Sequence, residues 1–209
     1  VKLHVADEII ETAAEMDAVL YKDAEISGYY VLGNDIDYTG ATYTDYTAGN
    51  SGNGFTGIFD GRGFTIRNYA QPNAGANYAL FGKLNGATVK NVNFENVTVN
   101  AWWNSSLFAI YTFSSTIENI TMRNVAFTVD ATEGPNGGLL CGYYTDNSVF
   151  RNIDIYMGTT YNGFVGALLG EGGNTTAETF DDINVYNVKQ DCLLIDLASN
   201  PGGIDKKAA

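Results

Sequence analysis

Residues able to carry out catalysis are few in this chain and lie far apart. The single histidine, His4, is near the start of the sequence, away from any nucleophile that a catalytic triad would need it to activate. One histidine and two cysteines are too few for a zinc site. Glycoside hydrolysis requires two carboxylates across one cleft. The acidic residues considered for such a pair are Asp35 with Asp37, Asp181 with Asp182, and Asp154.

Structural roles explain these carboxylates more simply than catalysis does. Asp35 and Asp37 are two residues apart in an extended segment and can share a face, but turns commonly use such clusters. Asp181 and Asp182 are adjacent and therefore point to different sides of a strand. We predict that the chain is not an enzyme and needs no cofactor. A structural calcium ion near Asp37 is the open alternative.

Aromatic side chains are the second group with a potential function, because their rings can stack on the apolar face of a sugar. One set falls in loops and at the ends of apolar strands, and another forms an outward-facing column. On adjacent strands ~4.8 Å apart, such rings would match about one sugar unit each. The alternative is that the rings pack on one another and only stabilise the strands. The predicted ligand-binding residues are Trp102, Trp103, Tyr111, Tyr143, Tyr144, Tyr156, Tyr161 and Tyr186.

An internal repeat determines how these residues are positioned, with intervals inside the range of about 20–50 residues that is typical of repeat proteins. The aligned segments are residues 89–94, 117–122, 150–155 and 180–185, with 66–69 as a degenerate copy. One polar column contains Asn68, Asn91, Asn119, Asn152 and Asp182. A second column contains Asn73, Asn96, Asn124 and Asn187 and is broken by Met157.

Asparagine tolerates the left-handed backbone region, so two asparagines per repeat predict two corners joining short strands. Stacked repeats would then align asparagines for hydrogen bonding between neighbours. The apolar columns Val89/Ile117/Phe150/Phe180 and Val92/Ile120/Ile153/Ile183 would fill the interior. The sequence therefore predicts an all-β, right-handed parallel β-helix of about five to six rungs, in preference to a β-sandwich.

The ends of the stack require covering. Thr12 and Glu15 match a capping box, and Met16, Val19 and Leu20 share one helical face, which predicts a capping helix over 12–21. We expect rungs over 29–195, a linker or tail over 196–209, and one domain over 1–209. The chain starts without methionine and ends in a linker-like segment, from which we expect covalently linked neighbouring domains and a monomer.

The net charge of −13 argues against nucleic acid and anionic lipid as partners, because both need clustered basic residues. No apolar run is long enough for membrane insertion. A neutral polysaccharide remains compatible with this charge. Cys141 and Cys192 fall about two rungs, or ~10 Å, apart, which exceeds the ~7 Å limit between disulfide-linked Cα atoms. We predict separate thiols, with Cys141 buried.

Residues 12–15, 29–37, 54–68 and 79–94 resemble the GLUG-type β-helical repeats of bacterial surface proteins, within the pectin-lyase-like superfamily. The resemblance covers most of 10–190, and the FDGxGxTI element at 59–66 is its most specific part. It implies a secreted or cell-surface protein. The favoured function is a non-catalytic carbohydrate-binding module for a neutral plant-type polysaccharide such as xylan. A structural spacer or adhesin segment is the alternative, and a polysaccharide lyase or hydrolase is the third.

Overall fold

The computed structural model describes residues 5–20, 26–41, 54–70, 79–101, 104–129, 137–161 and 179–187. These ranges hold one short helix and a series of strands. Their bounds are β1 (Glu8–Ile10), α1 (Ala13–Leu20), β2 (Tyr29–Leu32), β3 (Ile36–Asp37), β4 (Ile58–Asp60), β5 (Thr65–Arg67), β6 (Lys83–Asn85), β7 (Thr88–Ala101), β8 (Ser105–Ser106), β9 (Ala109–Phe113), β10 (Thr116–Val129), β11 (Gly137–Gly138), β12 (Cys141–Asp146), β13 (Val149–Tyr161) and β14 (Thr179–Tyr186).

The paired strands within the described ranges all run parallel. The main sheet follows the order β1-β2-β4-β7-β10-β13-β14, with β3 and β5 attached to it. A second sheet has the order β12-β9-β6, and β11 pairs with β8. Successive repeats thus return to the same sheets in the same direction. The predicted fold class, a right-handed parallel β-helix, is confirmed.

Each long strand of the main sheet bends at asparagines with left-handed backbone. In β7, Asn91 and Asn96 have φ angles of 55° and 54°, and Asn119 and Asn124 in β10 have 56° and 54°. Their amides also form the predicted ladder. Asn119 Nδ2 donates to Asn91 Oδ1 at 2.8 Å, and Asn152 Nδ2 donates to Asn119 Oδ1 at 2.7 Å. One residue type therefore turns the chain and links the rungs.

The placement of Asn68 in the first column is wrong. Strand β5 pairs with the second segment of β7, so Asn68 lies next to Asn96, whose Nδ2 donates to it at 3.3 Å. The neighbour of Asn91 is Asp60, whose Oδ1 accepts from Asn91 Nδ2 at 3.0 Å. The physical reason is a different first corner in this rung, a turn with Arg62 at a φ of 53°.

The second column runs from Asp37 through Asn68 and Asn96 to Asn124. It stops there because Val125 pairs with Met157 across a register shift, so the predicted break is confirmed. Asn73 lies outside the described residues, and Asn68 occupies the position proposed for it.

The interior contains the predicted apolar columns, and each fully buried side chain of this size contributes about 1.5–3 kcal/mol. Buried as predicted are Val89, Ile117 and Phe150 in one column and Val92, Ile120 and Ile153 in the next. Phe180 stacks on Phe150 with ring centroids 5.2 Å apart, but it remains 45% exposed. The prediction that Phe180 is interior is therefore wrong in burial though correct in register, because β14 is the last strand of the main sheet among the described residues.

Helix α1 has the predicted capping box at its start. Glu15 N donates to Thr12 Oγ1 at 3.1 Å, and Thr12 N donates to the Glu15 carboxylate at 3.0 Å. Met16, Val19 and Leu20 are buried in the core cluster, as their spacing predicts. The helix spans Ala13–Leu20 with Thr12 as N-cap, which agrees with the prediction of 12–21 to within a residue at each end.

A partly buried hydrogen bond attaches α1 to the first rungs. The Tyr38 hydroxyl donates to Asp17 Oδ1 at 3.2 Å, and Tyr38 packs edge-on against Tyr69 at 5.3 Å. Burial raises the pKa of Asp17 to about 6, and the hydrogen bond from Tyr38 opposes this shift. Strand β1, which precedes the helix, was not predicted, because three residues are too short to show a periodic pattern.

Candidate functional site

Aromatic side chains face outward on both sheets, in different geometries. On the main sheet, the Tyr156 and Tyr186 rings stack 4.4 Å apart with an interplanar angle of 11°. The Arg123 guanidinium lies 4.4 Å from the centre of the Tyr156 ring. In-register pairing of the three residues produces this stack, which we call the tyrosine column. Tyr156 consequently has one neighbour toward each end of the β-helix.

Polar groups surround the tyrosine column. Asn184 Nδ2 donates to Asp154 Oδ1 at 3.1 Å. Desolvation and the Asp154 carboxylate raise the pKa of the Tyr186 hydroxyl. Before the Asn119 and Asn152 corners of the same strands, Arg151 and Glu118 form an ion pair at 2.5 Å between neighbouring rungs. Lys90 approaches Asp60 at 3.7 Å.

The second sheet carries a cluster of half-buried rings, which we call the aromatic patch: Tyr111, Phe113, Tyr143 and Tyr144, with Lys83. Tyr111 and Tyr143 meet at 87° with centroids 5.6 Å apart. Tyr111 and Phe113 are nearly parallel, with centroids 6.1 Å apart. Tyr144 is tilted by 42° against Phe113 at 5.5 Å, and the Lys83 ammonium lies 5.5 Å from the centre of the Phe113 ring.

A β-bulge in β12 creates this arrangement. Cys141 pairs with Ala109 and Tyr144 pairs with Tyr111, so two residues of β12 oppose one residue of β9. As a result, the adjacent Tyr143 and Tyr144 are both partly exposed, which regular alternation would not allow. Gly142 lies within the bulge, where a Cβ atom would come within 2.6 Å of the Asn104 carbonyl oxygen.

The layer beneath the patch is polar but satisfied. The Thr112 and Thr145 hydroxyls are fully buried and hydrogen-bonded to each other at 2.7 Å. The Cys141 thiol donates to the carbonyl oxygens of Ile110 and Tyr144, both at 3.2 Å. Burial raises the pKa of Cys141 to about 11, so the thiol is protonated and unsuited to nucleophilic chemistry. Cys141 is a free, buried cysteine as predicted, and Cys192 lies outside the described residues.

The predicted ligand-binding residues divide between the two sheets. Tyr111, Tyr143 and Tyr144 lie together in the aromatic patch, and Tyr156 and Tyr186 lie together in the tyrosine column. Tyr161 is described by its backbone alone, which pairs with Phe127. Trp102 and Trp103 lie outside the described residues. Lys83 and Phe113 were missed, although the spacing of Phe113 two residues after Tyr111 signals a shared strand face.

The candidate catalytic carboxylates have structural partners. Asp35 pairs with Arg67 and accepts from Thr65 N at 2.8 Å. Hydrogen bonds from Asn68 and Thr39 lower the pKa of Asp37 to about 2. Asp182 has a φ of 53°, the left-handed corner conformation of its column. No group of three or more histidine, cysteine and acidic residues that could hold a metal ion occurs in the described ranges.

The fold places the chain among the parallel β-helix proteins. In structure it is similar to a Bacteroides ovatus protein provisionally assigned as an immunoglobulin A1 protease, with a TM-score of 0.52 and 18% sequence identity over 85% of this chain and 67% of that chain. An identity this low shows a shared fold alone.

In sequence, the chain is 31% identical over 175 residues to halomucin of Haloquadratum walsbyi. The matched region is 77% of this chain but only 2% of halomucin. A comparison with known protein families gives no match. The described residues include no helix with the length and hydropathy needed to cross a bilayer.

Proposed function

We propose that this chain is a rigid, non-catalytic β-helical module of a larger exported or cell-surface protein, acting as a spacer or adhesin segment. The amide ladder that links β7, β10 and β13 through Asn91, Asn119 and Asn152 carries the proposal. Such a ladder hydrogen-bonds neighbouring rungs along the axis of the β-helix. It stabilises the elongated shape that a spacer or adhesin segment requires. The similarity to a small segment of halomucin supports a place within a longer polypeptide.

The non-catalytic part of the proposal rests on the partners of the acidic residues. Asp35 forms an ion pair, and Asp37 accepts three hydrogen bonds. Both carboxylates therefore stabilise the corners of the stacked rungs. A glycosidase acid would need a raised pKa, and the pKa of Asp37 is lowered.

The same proposal extends to family and context. The chain is a GLUG-type repeat module of the pectin-lyase-like superfamily, a single domain over 1–209 and a monomer linked to neighbouring domains. It acts outside a bacterial cell, without nucleic acid and without inserting into the membrane.

Two assays on the full-length protein test this function. Antibodies against residues 1–209 should label intact cells without permeabilisation, and labelling that requires permeabilisation would contradict export. Purified protein should release no products from polysaccharides. Product release that is lost in Asp35→Asn or Asp37→Asn variants would replace the proposal by an enzymatic function.

A second candidate function is the binding of a neutral polysaccharide such as xylan. The observation that favours it is the set of partly exposed rings on the second sheet. Retarded migration in gels containing xylan would support this candidate, whereas a pure spacer should migrate as it does in plain gels. Replacing Trp102 and Trp103 with alanine tests the contribution of these two side chains.

A further inference from the structure

We infer that, if the proposed polysaccharide binding holds, the aromatic patch on the second sheet is the sugar-binding site and the tyrosine column is a structural stack. The inference rests on that second candidate function and specifies its site and ligand class. The tyrosines of the patch and those of the column, which the sequence analysis both predicted to bind ligand, thus receive different roles.

The orientation of the rings distinguishes the two surfaces. Sugar rings stack on aromatic faces rather than on edges. In the tyrosine column, Tyr156 has Arg123 over one side and Tyr186 parallel to it at 4.4 Å. The faces of Tyr156 are therefore occupied by protein. A polysaccharide lying along the axis of the β-helix would meet ring edges there.

The aromatic patch has a different geometry. Tyr111 and Tyr143 meet at 87°, so Tyr143 is not covered by a parallel ring across this contact. Tyr111 has the nearly parallel ring of Phe113 on one side, with centroids 6.1 Å apart, a wider spacing than the 4.4 Å of the tyrosine column. Two perpendicular rings form a corner in which a pyranose can stack on one ring and direct its hydroxyls toward the other. The rings of Phe113 and Tyr144 add further apolar surface beside this corner.

The bulge supplies both tyrosines of β12 to this surface. It allows Tyr143 and Tyr144 to emerge on the same side, and Gly142 makes it possible by packing against the Asn104 backbone. Bulges redirect side chains near functional sites at some cost to strand pairing. Strand β12 departs from regular pairing with β9 at the point where the rings gather.

Size and charge favour a neutral sugar as the occupant. Four rings that are each partly buried leave an exposed surface well below the roughly 800 Å² per partner of a stable protein interface. The rim carries Lys83 and Asp146, which have opposite charges, in a chain with a net charge of −13. A polyanion such as pectate would be repelled by this field, whereas a neutral pyranose polymer would not.

Affinity electrophoresis of the intact chain in xylan and in other neutral polysaccharides tests the inference, with pectate as the charged comparison. Tyr143→Ala should weaken retardation about tenfold in apparent Kd, because it removes one wall of the corner. Tyr143→Phe keeps the ring and should retain most of the affinity. Tyr186→Ala, the matched control in the tyrosine column, should bind like the wild type.

The possible results distinguish a failure of the aromatic patch as the binding site from a failure of polysaccharide binding itself. If the wild type is retarded in none of the neutral gels, the polysaccharide-binding candidate fails and the site fails with it. If the wild type is retarded but Tyr186→Ala loses binding while Tyr143→Ala keeps it, polysaccharide binding stands and the site assignment is overturned. Circular dichroism and thermal midpoints confirm that each variant is folded, and Tyr111→Ala provides a second change in the same corner.

Discussion

The main sheet and the second sheet of this β-helix use similar residues in opposite ways. In the main sheet, β10 pairs with β7 in register, so amide meets amide. The same regular pairing of β10, β13 and β14 stacks Arg123, Tyr156 and Tyr186. In the second sheet, a bulge shifts the register and turns Tyr111 and Tyr143 perpendicular. In-register pairing in the main sheet places like side chains in contact and stabilises the stack. The bulge in β12 of the second sheet instead leaves adjacent tyrosines partly exposed to solvent.

Replacing Asn119 with alanine is the strongest test of this contrast. The variant loses two ladder hydrogen bonds and places an alanine at a φ of 56°. About 1 kcal/mol for each hydrogen bond and 1–2 kcal/mol for the left-handed backbone give an expected loss of about 3–4 kcal/mol. Urea denaturation monitored by circular dichroism measures the change in free energy of unfolding.

Matched variants separate the two contributions. Asn119→Gly tolerates the backbone angle and should recover about 1 kcal/mol of the loss. Asn147→Ala is the corresponding change at a corner of the second sheet, where φ is 50° and one long hydrogen bond reaches Ser114 at 3.3 Å. If Asn147→Ala costs as much as Asn119→Ala, the ladder does not distinguish the main sheet.

Gly142→Ala tests whether the bulge depends on close backbone packing. An added Cβ would lie 2.6 Å from the Asn104 carbonyl oxygen and 2.8 Å from that of Ser105, which are backbone atoms with little freedom to move. We expect a loss of about 2 kcal/mol, as for other overpacked sites. The thermal midpoint should fall accordingly. Gly63→Ala is the control for the glycine-to-alanine change itself, because nothing lies near its Cβ position, although its φ of 84° adds strain.

The buried hydroxyl pair beneath the patch provides a third test. Thr112→Val leaves the Thr145 hydroxyl buried without the partner that it has at 2.7 Å. The expected loss is about 1–2 kcal/mol, the penalty for an unsatisfied buried group. The double variant with Thr145→Val should be closer to the wild type than either single variant. Additive losses would show that the two hydroxyls are not coupled.

Sequence reasoning predicted the regular parts of this molecule better than the irregular ones. The asparagine corners and the apolar column through Ile117 were predictable because they recur in register. Asn68 was assigned to the wrong column because a glycine-containing turn replaces the first corner of its rung. When a turn of other residues forms a corner in place of an asparagine, aligning the asparagines of the repeats cannot detect that corner.

The candidate site was harder to predict for a related reason. Its tyrosines could be named, but the bulge that brings Tyr143 next to Tyr111 follows from packing at Gly142, which the repeat pattern does not encode. Lys83 and Phe113 join the patch through contacts between different rungs. Ring orientation, which separates the patch from the tyrosine column, depends on tertiary packing and is absent from the sequence.

The smallest expected effect is a pH dependence at the base of the second asparagine column. Asp37 Oδ1 accepts from Asn68 Nδ2 and from the amide and hydroxyl of Thr39, and these bonds lower its pKa to about 2. The carboxylate therefore adds stability above its unfolded pKa of about 4, and this contribution is lost as the pH falls through about 2. We expect wild type and Asp37→Asn to differ in urea midpoint at pH 5–7 and to converge toward pH 2. The raised pKa of Asp17 affects both proteins equally and cancels in the comparison. A difference that stays constant down to pH 2 would show that the ionised carboxylate does not stabilise this column.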